Sequence, residues 1–283
     1  MKNIWTIARM TFREAIRRRI ILTGVVLGLV FLAIFSIGFH FVFINASQEV
    51  PTAGEAVTNL MMNEAVNMLM LAGLYAVTFL SVAMGALLGA DTLSGEIISG
   101  TIQTIVAKPI RRLDVVLGKW LGFAILLAGY AFLMSGGTVL SVWLLSGYTP
   151  HNILSGIALI YLESLLIMTI SIACSSFLSG LATGSVVFGM YGLAFIGSWV
   201  EQIGSILQNE TAVQVGIITS LLIPSESLWR RAAFEMQSPI SAAIGMSPFS
   251  TVSVPSPLMV GYAVIYLIIM LMATISMFNQ RDL

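Results

Sequence analysis

The sequence predicts an all-α integral membrane protein. Six transmembrane helices are expected, with an amphipathic interfacial helix ahead of the first and a short cytoplasmic amphipathic helix between the second and third. Three observations predict it. Of 283 residues, 58% are hydrophobic and only 9% are charged, against about 25% charged in soluble domains. Six segments stay apolar over the roughly 20 residues that a membrane crossing needs. Lysine and arginine are concentrated on one set of alternate connections. A soluble fold of this composition would expose large apolar patches, so lipid is the better solvent. The net charge of zero gives no bulk field that would attract nucleic acid. The single cysteine, Cys174, lies in an apolar run and reads as a small packing residue, with no partner for a disulfide within the chain.

The N-terminal stretch NIWTIARMTFREAIRRR is amphipathic. At 100° per residue Ile4, Trp5, Ala8, Phe12, Ala15 and Ile16 share one arc, and Lys2, Arg9, Arg13 and Arg17 a neighbouring one. Residues 1–19 are therefore expected to lie in the membrane interface, with Trp5 and Phe12 in the acyl boundary and Arg9, Arg13 and Arg17 among anionic headgroups. Such a helix serves equally as an orientation signal and as a lever against a cytoplasmic partner. The spans follow at residues 20–44, 66–90, 116–145, 153–178, 181–200 and 258–278 of a single transmembrane domain covering 1–283. The first apolar run is too long for the h-region of a cleaved signal, which has about 7 to 15 residues. Residues 213–223 make only about half a span and read as interfacial or re-entrant. They belong to an extracytoplasmic connection, 201–257, which Pro224, Pro239, Pro248, Pro255 and Pro257 should break into short helices and turns.

Six spans put both termini on one side. That side holds eleven cations (Lys2, Arg9, Arg13, Arg17, Arg18, Arg19, Lys108, Arg111, Arg112, Lys119, Arg281) and the other only Arg230 and Arg231. The positive-inside rule then places both termini in the cytoplasm of a bacterial or archaeal cell, and the chain in its cytoplasmic membrane. On the outside, Glu201, Glu210, Glu226 and Glu235 can balance Arg230 and Arg231.

Polar groups within the spans are few. Glu163 falls inside the fourth, where a carboxylate is costly and a functional candidate by default. Asn63, Glu64 and Asn67 share a face at the outer end of the second and could line an outer vestibule. His40, His151 and the methionines Met61, Met62, Met68 and Met70 raise the question of Cu(I). Sixteen methionines in a membrane chain are mostly filler, so no metal site is expected. Four small-xxx-small pairs (Gly24/Gly28, Gly85/Gly89, Gly118/Gly122, Gly180/Gly184) permit close helix packing without specifying a seam.

The stretch SGEIISGTIQTIVAKPIRR, residues 94–112, stands out in this apolar chain. Gly95 and Gly100 have the spacing of a phosphate-binding loop, but Thr101 and Ile102 follow where Lys-Ser/Thr is needed. The lysine that would reach the terminal phosphates is missing, so this chain is not expected to hydrolyse ATP. Ile98, Ile102, Ile105 and Val106 form one face of a short helix, with Lys108 in its last turn and Pro109 ending it. Such a face either lies on lipid or inserts into a groove on a soluble partner.

The wider run D-x-x-S-G-E-x-x-S-G-T-I-Q-x-x-x-x-K-P-I-R-R-x-x-x-x-x-G-K-W-L-G, residues 91–122, resembles the cytoplasmic loop of ABC-2-type exporter permeases. The amphipathic N-terminus, the six spans and PSESLWR at 224–230 resemble the same family. Its branch containing the permease of the nitrous-oxide reductase copper-maturation system looks nearest. The resemblance implies that the loop is a coupling helix seated in a separate ATPase subunit, with two permeases and two ATPases in the working unit. ATP and Mg would bind to the ATPase, and this chain would carry no cofactor and no catalytic residue. Glu96, Thr101, Gln103, Lys108, Pro109, Arg111 and Arg112 are the implied contacts, with Ile98, Ile102 and Ile105 as anchors.

The leading expectation is thus the membrane subunit of an exporter, paired with itself and with its ATPase, and open to an extracytoplasmic protein as a further partner. One alternative is a mechanical transmitter in which ATPase motion acts on an outer partner and nothing crosses. Another is an ion-coupled secondary transporter using Glu163. An intramembrane enzyme is weakest, since no H-E-x-x-H or G-x-S-x-G occurs.

Overall fold

The computed structural model describes residues 2–48, 55–90, 92, 111–238 and 253–280, and among these all regular structure is α-helical. The helices are α1 (Lys2–Arg17), α2 (Arg19–Gln48), α3 (Glu55–Ala90), α4 (Arg112–Ser146), α5 (Ile153–Ser175), α6 (Gly180–Ile206), α7 (Glu210–Leu222), α8 (Ser225–Met236) and α9 (Pro257–Asn279). Six of them, α2 to α6 and α9, are long and apolar enough to cross a membrane. The helix expected around Ile98 to Pro109 lies outside the described residues, as do Asp91, Glu96, Thr101, Gln103 and Lys108.

Several helices run past the limits that hydropathy suggests. α3 begins at Glu55 and α4 at Arg112, while α6 continues to Ile206. The 36 residues of α3 make about 54 Å of helix, well beyond the ~30 Å of a hydrocarbon core. Polar residues prolong a helix wherever a neighbour satisfies them, and Asn67 and Glu64 are so satisfied. α5 instead stops at Ser175, earlier than expected. The Ser175 and Ser176 hydroxyls donate to the carbonyls of Ile172 and Ala173, capping the last turn.

α5 is the central post. Its apolar window is 78% buried, against 11% for α2 and 17% for α9, which leave most of their surface to the surroundings. α3, α4, α6, α8 and α9 all pack on α5. The α3–α5 contact is closest at Gly85 and Gly89, where the Ser171 hydroxyl also donates to the Ala86 carbonyl at 2.7 Å. Some buried hydroxyls bond back along their own helices, as Thr78 does to Leu74 and Thr138 to Met134. At these positions the hydroxyls are satisfied internally, as a site without water demands.

α1 does not turn its whole apolar arc outward. Ala8, Thr11 and Ala15 are buried. Gly118 and Gly122 of α4 leave room for Ile7, Ala8 and Thr11, so the third small-xxx-small pair is the seat of α1. Trp5 and Ile16, from the same predicted arc, remain exposed together with Arg9, Arg13 and Arg17, and Phe12 is half-buried. α7 and α8 form a pair bent by 104° at Ile223 and Pro224. α7 lies along α6, held by Gly197, Gly204 and Gly216 at the contact, and α8 packs on α5.

Candidate functional site

The sequence PSESLWR opens α8, with Pro224 in the N-cap position. An isolated 12-residue helix carrying four charged residues has no reason to be buried, yet Ser225 to Arg230 are all nearly inaccessible. The reason lies in their partners. Arg230 makes a two-pronged bridge to Glu201 of α6, Nη1 to Oε1 at 2.7 Å and Nη2 to Oε2 at 2.9 Å. Such a planar fork is the strongest common ion-pair geometry. The Ser253 hydroxyl donates to Glu201 Oε1 at 2.7 Å, and Arg230 reaches the Ser253 carbonyl and the Ser220 hydroxyl at 3.4 Å each. One guanidinium thus ties α6, α7, α8 and the segment entering α9.

One turn earlier on α8, Glu226 accepts a 2.9 Å hydrogen bond from the Tyr75 hydroxyl of α3. The Tyr75 ring lies against Trp229, with centroids 4.9 Å apart. Glu163 approaches from α5. It is fully buried, neither of its carboxyl oxygens has a hydrogen-bond partner among the described residues, and Glu226 acts on it electrostatically. The Arg230 guanidinium, which also acts on Glu226, is thus committed to Glu201, and among the described residues Glu163 has only the acid Glu226 as its charged neighbour.

Burial pushes the Glu226 carboxyl up from its ordinary 4.5 to about 7, against the opposing pull of the Tyr75 hydrogen bond and the Arg230 guanidinium. The folded chain then holds that proton more tightly than the unfolded chain. Its contribution to stability is present below pH 4.5 and is lost as pH rises through about 7. We expect the melting temperature of the purified chain to fall between about pH 5 and about pH 8, and to fall less in Glu226→Gln. Equal falls in the two proteins would remove Glu226 from this account.

Beside the cluster, α2, α3 and α6 enclose an apolar groove of about 750 Å³. Phe31, Phe79, Phe188 and Phe195 stand in its walls, together with the rings of Tyr75 and Tyr191. A second apolar cavity of about 330 Å³ between α2 and α3 shares Ala72 with it. Along α2, Phe31, Phe35, Phe39 and Phe43 succeed one another with centroids 6.0 to 6.1 Å apart.

The family model for the ABC-2 family transporter proteins matches residues 5–283. The chain belongs to this family. No curated protein matches it significantly. As an ABC-2 family protein it is a multi-pass membrane protein and a permease component of an ATP-binding-cassette transporter. Membrane subunits of this family are in general non-catalytic, and membership implies pairing with an ATP-binding-cassette ATPase subunit.

In this ABC-2 permease the predicted site residues fall in separate places. Glu163 joins the buried cluster. Asn67 donates to the Tyr148 hydroxyl at 2.8 Å and the Met236 carbonyl at 3.2 Å, and accepts from the Ser238 amide at 3.3 Å. Glu64 accepts from the Ser238 hydroxyl, while Asn63 is exposed. Glu64 and Asn67 of that face thus clamp the end of α8, and Asn63 takes no part in it. Arg111 stands exposed at the start of α4. Arg112 donates to the Phe278 carbonyl at 3.0 Å and lies over the Phe278 ring, joining α4 to α9. Lys119, two turns further on, reaches back to the Thr92 carbonyl at 3.2 Å. Sequence reasoning missed Tyr75 and Tyr191 altogether. It placed Glu201, Glu226 and Arg230 in an outer loop as balancing charges, and two charge pairs do form, Arg230 with Glu201 and Arg231 with Glu235. The available signal was PSESLWR itself, two charges inside a short run flanked by apolar segments.

Proposed function

We propose that the permease drives export by borrowing ATP hydrolysis from a separate subunit. Two copies of this chain pair with two copies of an ATP-binding-cassette ATPase, which holds the ATP and Mg. The observation that carries the reading is the family match over residues 5–283. The incomplete phosphate loop at Gly95 and Gly100 agrees with it, because the nucleotide site then belongs to another chain. The excess of cations, eleven against two, supports cytoplasmic termini and a cytoplasmic 91–112 loop in a bacterial or archaeal membrane. The run at 91–122 supports a coupling loop of the ABC-2 kind, and the chain as a whole looks nearest to the copper-maturation branch of the family.

In this reading Glu96 pairs with a cation of the ATPase, Ile98, Ile102 and Ile105 seat in its cleft, and Thr101, Gln103, Lys108, Pro109 and Arg111 line the contact. Lys119 and Arg112 give the movement a route inward, since they link the ends of that loop to α4 and α9. α1, seated on Gly118 and Gly122, moves with α4 as a lever. Glu163 lies by the translocation path, and the clamp of Glu64 and Asn67, with the exposed Asn63 beside it, lies at the outer mouth, where an extracytoplasmic protein would dock.

The test is mutation of Glu96, which is preferable to Arg112 because Arg112 also serves the fold. A tagged chain gently extracted from membranes should bring down a P-loop ATPase, and Glu96→Lys should cut both recovery and turnover by about tenfold or more. Unchanged recovery and turnover in Glu96→Lys, or transport by the chain with no nucleotide-hydrolysing companion, sinks the proposal.

A further inference from the structure

The groove between α2, α3 and α6 and the buried acids behind it have so far been treated separately, but two side chains belong to both. Tyr75 lines the groove and donates its hydroxyl to Glu226. Tyr191 lines the groove on the α6 side and is acted on electrostatically by Glu163 and Glu226. Glu163 likewise acts on Tyr75. The groove wall at these two rings therefore stands directly in front of the acid pair.

Among the described residues neither acid of the pair has a bonded cation, because Arg230 gives both of its terminal nitrogens to Glu201. Burial without a counter-charge holds Glu226 protonated up to about pH 7. A cation brought close favours the ionised form of such acids and so binds with release of a proton. The groove also suits a particular kind of cation. Apart from the two tyrosines its lining is hydrocarbon and phenyl ring. The rings come in pairs, Tyr75 with Phe195 at 6.4 Å and Phe79 with Tyr191 at 6.2 Å between centroids. Aromatic faces attract cations and accept apolar bodies equally well. The volume of about 750 Å³ falls within the range of small-molecule pockets.

We propose that this groove binds a lipophilic cation, its apolar body among the phenylalanine rings and its charge held over Tyr75 and Tyr191 in front of Glu163 and Glu226. Its significance as cargo rests on the exporter reading, but binding itself needs neither nucleotide nor partner. The chemistry disfavours an anion of the same shape, because an anion opposes ionisation of the acid pair where a cation promotes it. It also explains why a costly carboxyl is kept at mid-span on the most buried helix.

The test uses two probes of matched shape and opposite charge, tetraphenylphosphonium and tetraphenylborate, in equilibrium dialysis against the full chain in lipid nanodiscs at about pH 8, above the value of about 7 to which burial pushes Glu226. Tetraphenylphosphonium should bind saturably and at least about tenfold more tightly than tetraphenylborate. The double variant Glu163→Gln/Glu226→Gln keeps side-chain shape and should lose at least about tenfold in phosphonium affinity without losing borate affinity. Gly192→Leu locates the site. A Cβ there meets no atom within 4 Å, so a larger side chain fills the groove without straining the fold and should weaken both probes. Equal affinity for the two ions, or full phosphonium binding in either variant with an unchanged elution profile, overturns the proposal. Loss of ATPase coupling with binding intact would instead count against the exporter reading alone.

Discussion

Replacing Arg230 with methionine will destabilise the chain by about 3 to 5 kcal/mol, the cost of breaking a buried ion pair from one side. Methionine fills the space of the stem but leaves Glu201, 4% exposed, facing Ser253 alone. The carboxylate then loses both of its charge-assisted bonds, and α7 and α8 lose their common tether to α6. The matching double replacement, Arg230→Met with Glu201→Leu, removes both charges and should recover a large part of the loss, because apolar substitutes for a buried pair are often neutral. Thermal unfolding of the detergent-purified proteins, followed by size-exclusion recovery, distinguishes the cases. If the single variant melts with the parent, the bridge is incidental to the fold. If the double variant is as unstable as the single, the loss reflects packing of the arginine stem and not an orphaned charge.

Valine at Gly89 should be nearly as damaging, and valine at Gly184 should be silent. The two glycines carry the same sequence signature, yet their surroundings differ. A Cβ on Gly89 would stand 2.5 Å from the Ser171 Cβ and 2.9 Å from the Ile172 backbone nitrogen, and one on Gly85 would stand 2.7 Å from the Ser164 carbonyl oxygen. Backbone of α5 cannot yield as a flexible side chain can, so α3 and α5 must separate along their whole contact. Overpacking of this kind costs about 1 to 3 kcal/mol and sometimes more. It also breaks the Ser171 to Ala86 hydrogen bond. At Gly184 a Cβ meets nothing within 4 Å, and a change within about 0.5 kcal/mol is expected. The yield and melting temperature of the two variants side by side provide the check. Equal loss at both positions would mean that backbone flexibility, rather than helix contact, explains the glycines.

Gly118/Gly122 and Gly24/Gly28 extend the same lesson. The first pair receives α1, and the second receives Met84, Tyr130 and Met134. All four pairs look alike in the sequence, and only the neighbour across the gap tells a seat from an idle surface. The N-terminal helix repeats the point. Its periodicity was legible because the pattern is local, but the partner of its buried residues was not, since the 118–122 stretch of α4 lies more than a hundred residues away.

The sequence by itself determined the six membrane-crossing helices, the amphipathic α1 and the want of a complete phosphate loop. Each follows from the residues within one short window: apolar length sets a span, angular spacing sets an amphipathic face, and a missing lysine removes a phosphate contact. The tertiary structure decided that Glu163 meets Glu226, that Arg230 spends its charge on Glu201, and that two tyrosines join these acids to an apolar groove. Those pairings are made between helices distant in the chain, and lipid sorts residues by polarity without choosing among the ways that helices can pack.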